Sequence, residues 1–292
     1  MKDLGCSIKG MSKATDWRNM KPLHPQKRTC SPAGSFVLGS LSDLSCSGLS
    51  SSASSSAAMG QAKRDSFIRG IFSTVAPVID PLTTVFSLGL CHMWRRSLVS
   101  ASDLREGDSV LDACTGTGEL ALLLAERVGQ NGRVTGIDFC EEMLAIARRK
   151  IGQKFANVSL VVANAKDLDF ADDTFDAATV SFGIRNIPDT AAALKEIRRV
   201  LKPGGSFVCL ELTQPLKAWF VPLYKWYVFK VIPFVGKIFT KSEVPYSYLP
   251  VSIETYYKPG QFMRLMVQCG FSDVSVHSLS LGIATIYRGK KQ

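Results

Sequence analysis

Residues 109–119 read SVLDACTGTGE, and residues 134–138 read VTGID. The first stretch predicts a buried strand over 109–114, then a glycine turn, then a helix. Gly116 and Gly118 permit a sharp turn where a side chain would block a ligand. The helix that follows presents unpaired N–H groups at its start. The second stretch predicts another buried strand with Asp138 at its carboxyl end. An ionised carboxylate has two acceptor oxygens, enough for both hydroxyls of a ribose. Together the two stretches describe a nucleoside site at the carboxyl ends of parallel strands. The plainer alternative is a structural strand–turn–helix that holds nothing.

The turn is not the dinucleotide fingerprint, which needs a third glycine, G-x-G-x-x-G. Here an acidic residue, Asp112, precedes G-x-G. A pyrophosphate would be repelled by that carboxylate, and a cationic ligand favoured. The pattern therefore points to S-adenosylmethionine, with its sulfonium and α-amino groups, rather than to NAD.

The chain has 292 residues, of which 46% are hydrophobic, enough for one large domain or two small ones. No uninterrupted apolar run reaches the ~20 residues of a membrane span. The formal charge of +10 is spread over the N-terminal part and residues 216–241. It suits an anionic surface, either membrane or RNA; with no recognisable RNA-binding module in the chain, no nucleic-acid partner is expected. The 8 cysteines form no C-x-x-C pair. They read as reduced thiols of a cytosol-like compartment, with no metal site.

Residues 1–58 are rich in Ser, Gly and Ala. They read as a disordered extension, either an organelle transit peptide or an over-extended start ahead of Met59. Residues 59–292 read as the folded domain. Over 65–100 a helical lid is expected: an amphipathic piece at 67–76, a break at Pro77 and Pro81, and one helix over 82–99. Then come strand 109–114, helix 118–128, strand 133–138, helix 141–152, strand 158–163 and strand 175–181. Helix 189–201 follows, stopped by LKPGG, and then strand 206–212. Such alternation implies a parallel sheet with right-handed crossovers. Helix 259–269 and a terminal hairpin, 273–278 with 283–288, would set the last strand antiparallel at the sheet's edge. The fold class is thus α/β, a Rossmann-like sheet of seven strands.

The insertion at 215–257 interleaves Trp219, Phe220, Tyr224, Trp226, Tyr227, Phe229, Phe234 and Phe239 with Lys217, Lys225, Lys230, Lys237 and Lys241. That mixture suits a helix lying at a membrane surface or covering a substrate, with the lysine stems along apolar ground. A core-packed insertion and an RNA-stacking surface are the alternatives.

Several stretches resemble the ubiquinone/menaquinone C-methyltransferases: FSLGLCHMWRR (86–96), VLDACTGTGE (110–119), GIDFCEEML (136–144), VSFGIRNIPD (180–189), RVLKPGGSFVCLEL (199–212) and YSYLPVSI (246–253). The resemblance runs over about 72–290. It implies a class I S-adenosylmethionine-dependent methyltransferase fold. Carried over position by position, it implies cofactor contacts at Thr117, Asp138, Asn164, Ala165 and Ser181, beside Asp112, Gly116 and Gly118. Where the family commonly has A-P-x-Y-D, this chain has Ala76-Pro77-Val78-Ile79-Asp80, so one hydroxyl near the cofactor is missing.

The resemblance implies C-methylation of a polyprenyl quinol ring at the inner face of a membrane. Demethylmenaquinol is the expected acceptor; a benzoquinol, another lipid-like acceptor, or a non-catalytic S-adenosylmethionine-binding protein are the alternatives, and self-association is left open. The acceptor carbon attacks best when the neighbouring ring hydroxyl is ionised. Arg185 is expected to stabilise that quinolate and Asn186 to orient it. His92 and Tyr246 are further candidates for quinol contacts.

Overall fold

A computed structural model describes the backbone of residues 50–152, 154–240 and 244–292. Three helices come first: α1 (Ser50–Val75), α2 (Ile79–Phe86) and α3 (Leu90–Ala101). The alternating part follows with β1 (Ser109–Ala113), α4 (Glu119–Val128), β2 (Arg133–Asp138), α5 (Glu141–Ile151), β3 (Val158–Val162) and β4 (Phe175–Ser181). Then come α6 (Thr190–Val200), β5 (Leu201–Leu212), α7 (Val221–Trp226), α8 (Ile232–Thr240), α9 (Val244–Thr255), α10 (Pro259–Gln268), β6 (Phe271–Leu279) and β7 (Ala284–Lys291).

The seven strands form one sheet in the order β3-β2-β1-β4-β5-β7-β6. β1 to β5 are parallel, and β7 runs antiparallel to both β5 and β6. The order reverses beside β1, so the ends of β1, β2 and β4 share the crevice where such sheets bind ligands. β7 lies inside β6 rather than at the edge where the sequence suggested it. β6 is the edge strand, and its alternating burial shows one open face.

The central strands are apolar on both faces because helices cover both. Leu111, Ile137, Ala178 and Phe207 pack with α6 and α10, through Leu194, Ile197, Phe262 and Met266. Their chain neighbours Val110, Ala177 and Val208 point the other way, onto Trp94 and Leu98 of α3 and Leu120 and Leu124 of α4. α6 shows how the sequence sets its own limits. Asp189 caps it by accepting from the Ala192 N–H at 3.0 Å, and Ala193, Leu194, Ile197 and Val200 make one buried stripe.

Four expectations change. The single helix over 82–99 is two, because Leu88 and Gly89 take φ of 51° and 78°. The segments on either side meet at 93°. Pro81 breaks nothing, since it falls in the first turn of α2, where its missing N–H has no helical partner. The LKPGG stop is the bulged start of β5, with Leu201 paired to Phe175 and Ser206 to Ala177. Finally, α1 begins at Ser50, inside the stretch read as a disordered extension. Its C-terminal half is anchored by buried Ile68, Ile71 and Val75, and a docked helix propagates backwards without a new nucleus. Residues 1–49 of that extension lie outside the described residues.

Among the described residues no single helix is long and apolar enough to cross a membrane. The five described cysteines are free thiols. Cys6, Cys30 and Cys46 lie outside the described residues.

Candidate active site

The crevice opens into a cavity of about 530 Å³. Asp112, Gly116, Thr117, Asp138 and Ser181 line its sheet end, and apolar side chains of α1 to α3 and α7 to α9 line the rest.

Asp138 is buried. One carboxylate oxygen accepts from the Gly116 N–H and the other from the Cys140 N–H, both at 2.9 Å. Each oxygen keeps a lone pair for a ribose hydroxyl. Burial pushes this carboxyl above its ordinary range, against the pull of those backbone bonds.

Asp112 is buried too, and accepts from the Thr115 hydroxyl at 2.7 Å and the Thr179 hydroxyl at 2.9 Å. Burial pushes its carboxyl up to about 7, while both hydroxyls and the charge of Arg95 pull it down. A cation arriving beside it restores the ionised form.

The two glycines of the turn have different reasons. At Gly116 φ is 57°, and a Cβ would meet no protein atom within 4 Å, so the residue leaves room on the ligand side. At Gly118 φ is 82°, and a Cβ would press on Ala147 of α5 at 3.1 Å, so this one serves helix packing.

Thr117 is tied to the lid. Its hydroxyl donates to Asp80 of α2 at 2.6 Å. Lys150 of α5 joins Asp80 at 2.5 Å and Glu119 at 2.6 Å. The substituted lid motif therefore still contributes: Ile79 lines the cavity and its neighbour Asp80 latches α2 onto the glycine turn.

Ser181 ends β4 with its Oγ buried and, among the described residues, without a hydrogen-bond partner. A buried orphan hydroxyl in a cavity wall is a vacant ligand contact. Together with the open side of Gly116 and the spare acceptors of Asp138, it fits S-adenosylmethionine. Asn164 and Ala165 lie just beyond the end of β3, next to β2. They are not among the cavity's lining residues, and the Asn164 side chain accepts from the Lys166 N–H at 3.1 Å.

The expected quinol contacts divide. Arg185, Asn186 and Tyr246 line the cavity, but His92 does not. His92 is an exposed helix residue 3.1 Å from the Thr84 hydroxyl, because the bend at Gly89 turns that face of α3 outward. Arg185 was expected to stabilise a quinolate, with a structural ion pair as the plainer alternative. Its guanidinium pairs with fully buried Glu211 at 2.5 Å and donates to the Phe182 carbonyl at 2.6 Å. Asn186 accepts from the Tyr248 hydroxyl at 3.1 Å. Tyr246 packs edge-on against Phe86 at 5.9 Å. Its ring occupies the place where any side chain at position 236 would lie, 2.2 Å from a Cβ there.

Sequence reading missed Lys150 and Glu211, and saw Asp80 only as part of the lid motif without its partners. Their partners lie 26 to 70 residues away, and no local pattern marks such pairs.

The model of the ubiE/COQ5 methyltransferase family matches residues 59–291. The chain belongs to the ubiE/COQ5 methyltransferase family. It is 41% identical over 226 residues to the ubiquinone/menaquinone biosynthesis C-methyltransferase UbiE of Geotalea daltonii, covering 77% of this chain and 96% of that one. It is 38% identical over 234 residues to the demethylmenaquinone methyltransferase of Shouchella clausii, covering 80% and 99%. Among solved structures, an S-adenosylmethionine-dependent methyltransferase of Thermotoga maritima matches with a TM-score of 0.55 at 20% identity, over 76% of this chain and 99% of that one. One of Aquifex aeolicus matches with a TM-score of 0.52 at 20% identity, over 68% and 89%. The ubiE/COQ5 chain is thus an S-adenosylmethionine-dependent methyltransferase on the class I fold.

Proposed function

We propose that this enzyme C-methylates the ring of a polyprenyl quinol, demethylmenaquinol, at a membrane surface. The observation that carries the reading is that one cavity has two kinds of wall. Its sheet end is built for a nucleoside with a charged amino-acid tail. Its other end is lined by Phe72, Phe86, Phe220, Tyr224, Tyr246 and Ile253. The mouth carries Leu88, Leu223 and Trp226, which line the cavity yet are 83%, 56% and 59% exposed. An apolar mouth of that kind suits an acceptor delivered from lipid.

S-adenosylmethionine, when bound, supplies an electrophilic methyl group. Asp138 would hold the ribose and Gly116 would leave it room. Asp112 would face the amino group, and Ser181 would meet the ligand near the reacting end. The quinol ring would lie against the Arg185–Asn186 wall. There Arg185, its charge shared with Glu211, acts as an oriented donor toward a ring oxygen rather than as a free cation. Alignment of donor and acceptor supplies most of the acceleration. Trp219, Trp226, Phe234 and Phe239 are exposed among Lys217, Lys225, Lys230 and Lys237, which supports peripheral attachment to an anionic bilayer.

The names of the relatives support both quinol classes, with demethylmenaquinone the more frequent. The test is methyl transfer from labelled S-adenosylmethionine to demethylmenaquinol or to a polyprenyl benzoquinol in anionic vesicles. Ring-labelled menaquinol as the faster product is expected. A faster benzoquinol product, or label only on heteroatoms, overturns the proposal.

A further inference from the structure

The cavity lining holds a second cation besides Arg185, and none of the expected cofactor contacts includes it. Arg95 comes from α3 and lines the sheet end of the cavity, while the neighbouring Arg96 is exposed. Among the described residues no carboxylate lies within ion-pair distance of Arg95. Its guanidinium instead stands over the Phe182 ring, 5.6 Å from the centroid.

That position is built. Trp94, the residue before it, is buried and donates from its indole to Ser280 at 2.9 Å, which fixes the turn of α3. Phe182 has φ of 59°, a conformation uncommon for a bulky side chain. The next residue, Gly183, lies so close to Cys114 that a Cβ would come within 2.3 Å of it. The tight exit from β4 thus brings the Phe182 ring beneath Arg95 and against Trp94, 6.1 Å between centroids. A guanidinium on an aromatic face keeps its in-plane N–H fork for another partner.

We infer that Arg95 binds the α-carboxylate of the cofactor's methionine end, as the counterpart of Asp112 at the α-amino group. A zwitterionic amino-acid tail in a confined site needs one partner of each sign, and Asp112 and Arg95 are the pair that the sheet end offers. Arg95 is close enough to act on Asp112, whose carboxyl its charge pulls down. With the carboxylate bound, two charges of each sign alternate around the tail. The inference rests on placing the cofactor at the glycine turn.

The test compares two probes by calorimetry on the full chain: S-adenosylmethionine, and decarboxylated S-adenosylmethionine, which keeps the sulfonium, amine and ribose. Arg95→Met should weaken the first by about 10- to 100-fold, the range for a charge-assisted bond. It should weaken the second far less, through Asp112 alone, whose carboxyl is no longer pulled down by the Arg95 charge. Arg95→Lys keeps the charge without the fork and should fall between. Equal weakening of both probes by Arg95→Met, or weakening of neither, overturns the assignment. A melting temperature unchanged by the substitution excludes loss of folding as the cause. Asp138→Ala reports separately on the underlying placement: it should weaken both probes alike, and failure to weaken either sinks the placement and not the Arg95 contact alone.

Discussion

At the scale of single residues, the site holds two acids that burial drives toward the neutral form, Asp112 at about 7 and Asp138 above its ordinary value. The sign of the consequence follows directly. A raised acid is protonated below its pKa, and a protonated Asp112 no longer attracts an ammonium group. Cofactor affinity should therefore fall several-fold as pH drops from 7.5 to 6. That window stays below the amine's own pKa of about 7.7–8.0. Titration calorimetry across it checks the point, and Asp112→Asn should flatten the curve. The Arg185–Glu211 pair makes a different prediction. Arg185→Ala strands a fully buried carboxylate, at a cost of about 3–5 kcal/mol. Chemical denaturation should show that loss, and Arg185→Met combined with Glu211→Gln should recover most of it. If Arg185→Ala is as stable as the parent, the pair is not structural. The carboxylates at 112 and 138 were legible in the sequence because each lies at or next to the carboxyl end of a strand with a readable hydrophobic run. The partner of Arg185 was not, since Glu211 sits in the apolar string FVCLEL and reads as a strand residue.

At the scale of elements, the lid is joined to the cofactor edge at one point. Asp80 of α2 accepts from Thr117 and pairs with Lys150, which also holds Glu119. The lysine is about a quarter exposed, so the pair contributes little to global stability. Its removal should act on lid motion. Lys150→Met should speed cofactor release in stopped-flow experiments while shifting the unfolding midpoint little. An unchanged release rate would mean that α2 is held by its apolar contacts alone, such as Leu82 against Tyr224, Val228 and Tyr246. The strands and α4 to α6 were legible because period and end signals agree there. The split of 82–99 was missed for the opposite reason. The apolar residues Phe86, Leu88 and Leu90 run across the break, and a single glycine among them looks tolerable until its φ of 78° is seen. Periodicity alone could not choose which arginine of the WRR run enters the cavity; the Trp94 bond to Ser280 fixes that turn of α3.

At the scale of the whole molecule, the sheet supplies a rigid floor, and α1 to α3 with α7 to α9 supply the roof. The roof is also where apolar side chains meet solvent: Trp219 is 72% exposed and Phe234 68%. Replacing Trp219, Leu223 and Trp226 together by serine should abolish sedimentation with anionic vesicles and leave affinity for S-adenosylmethionine unchanged. Vesicle binding that survives the triple change would place the attachment elsewhere.

The mouth bearing Leu88, Leu223 and Trp226 also determines how turnover should scale. If the acceptor enters from lipid, the enzyme meets it per unit area, whereas it meets the cofactor per unit volume. At saturating S-adenosylmethionine, adding inert lipid to a fixed amount of quinol should slow the attached enzyme through surface dilution. Adding buffer to the same vesicles should leave the rate per bound enzyme nearly constant. The half-saturation point for the acceptor is then a mole fraction in the bilayer, and the two products depart into different phases, the methylated ring sideways into lipid and the spent nucleoside into water.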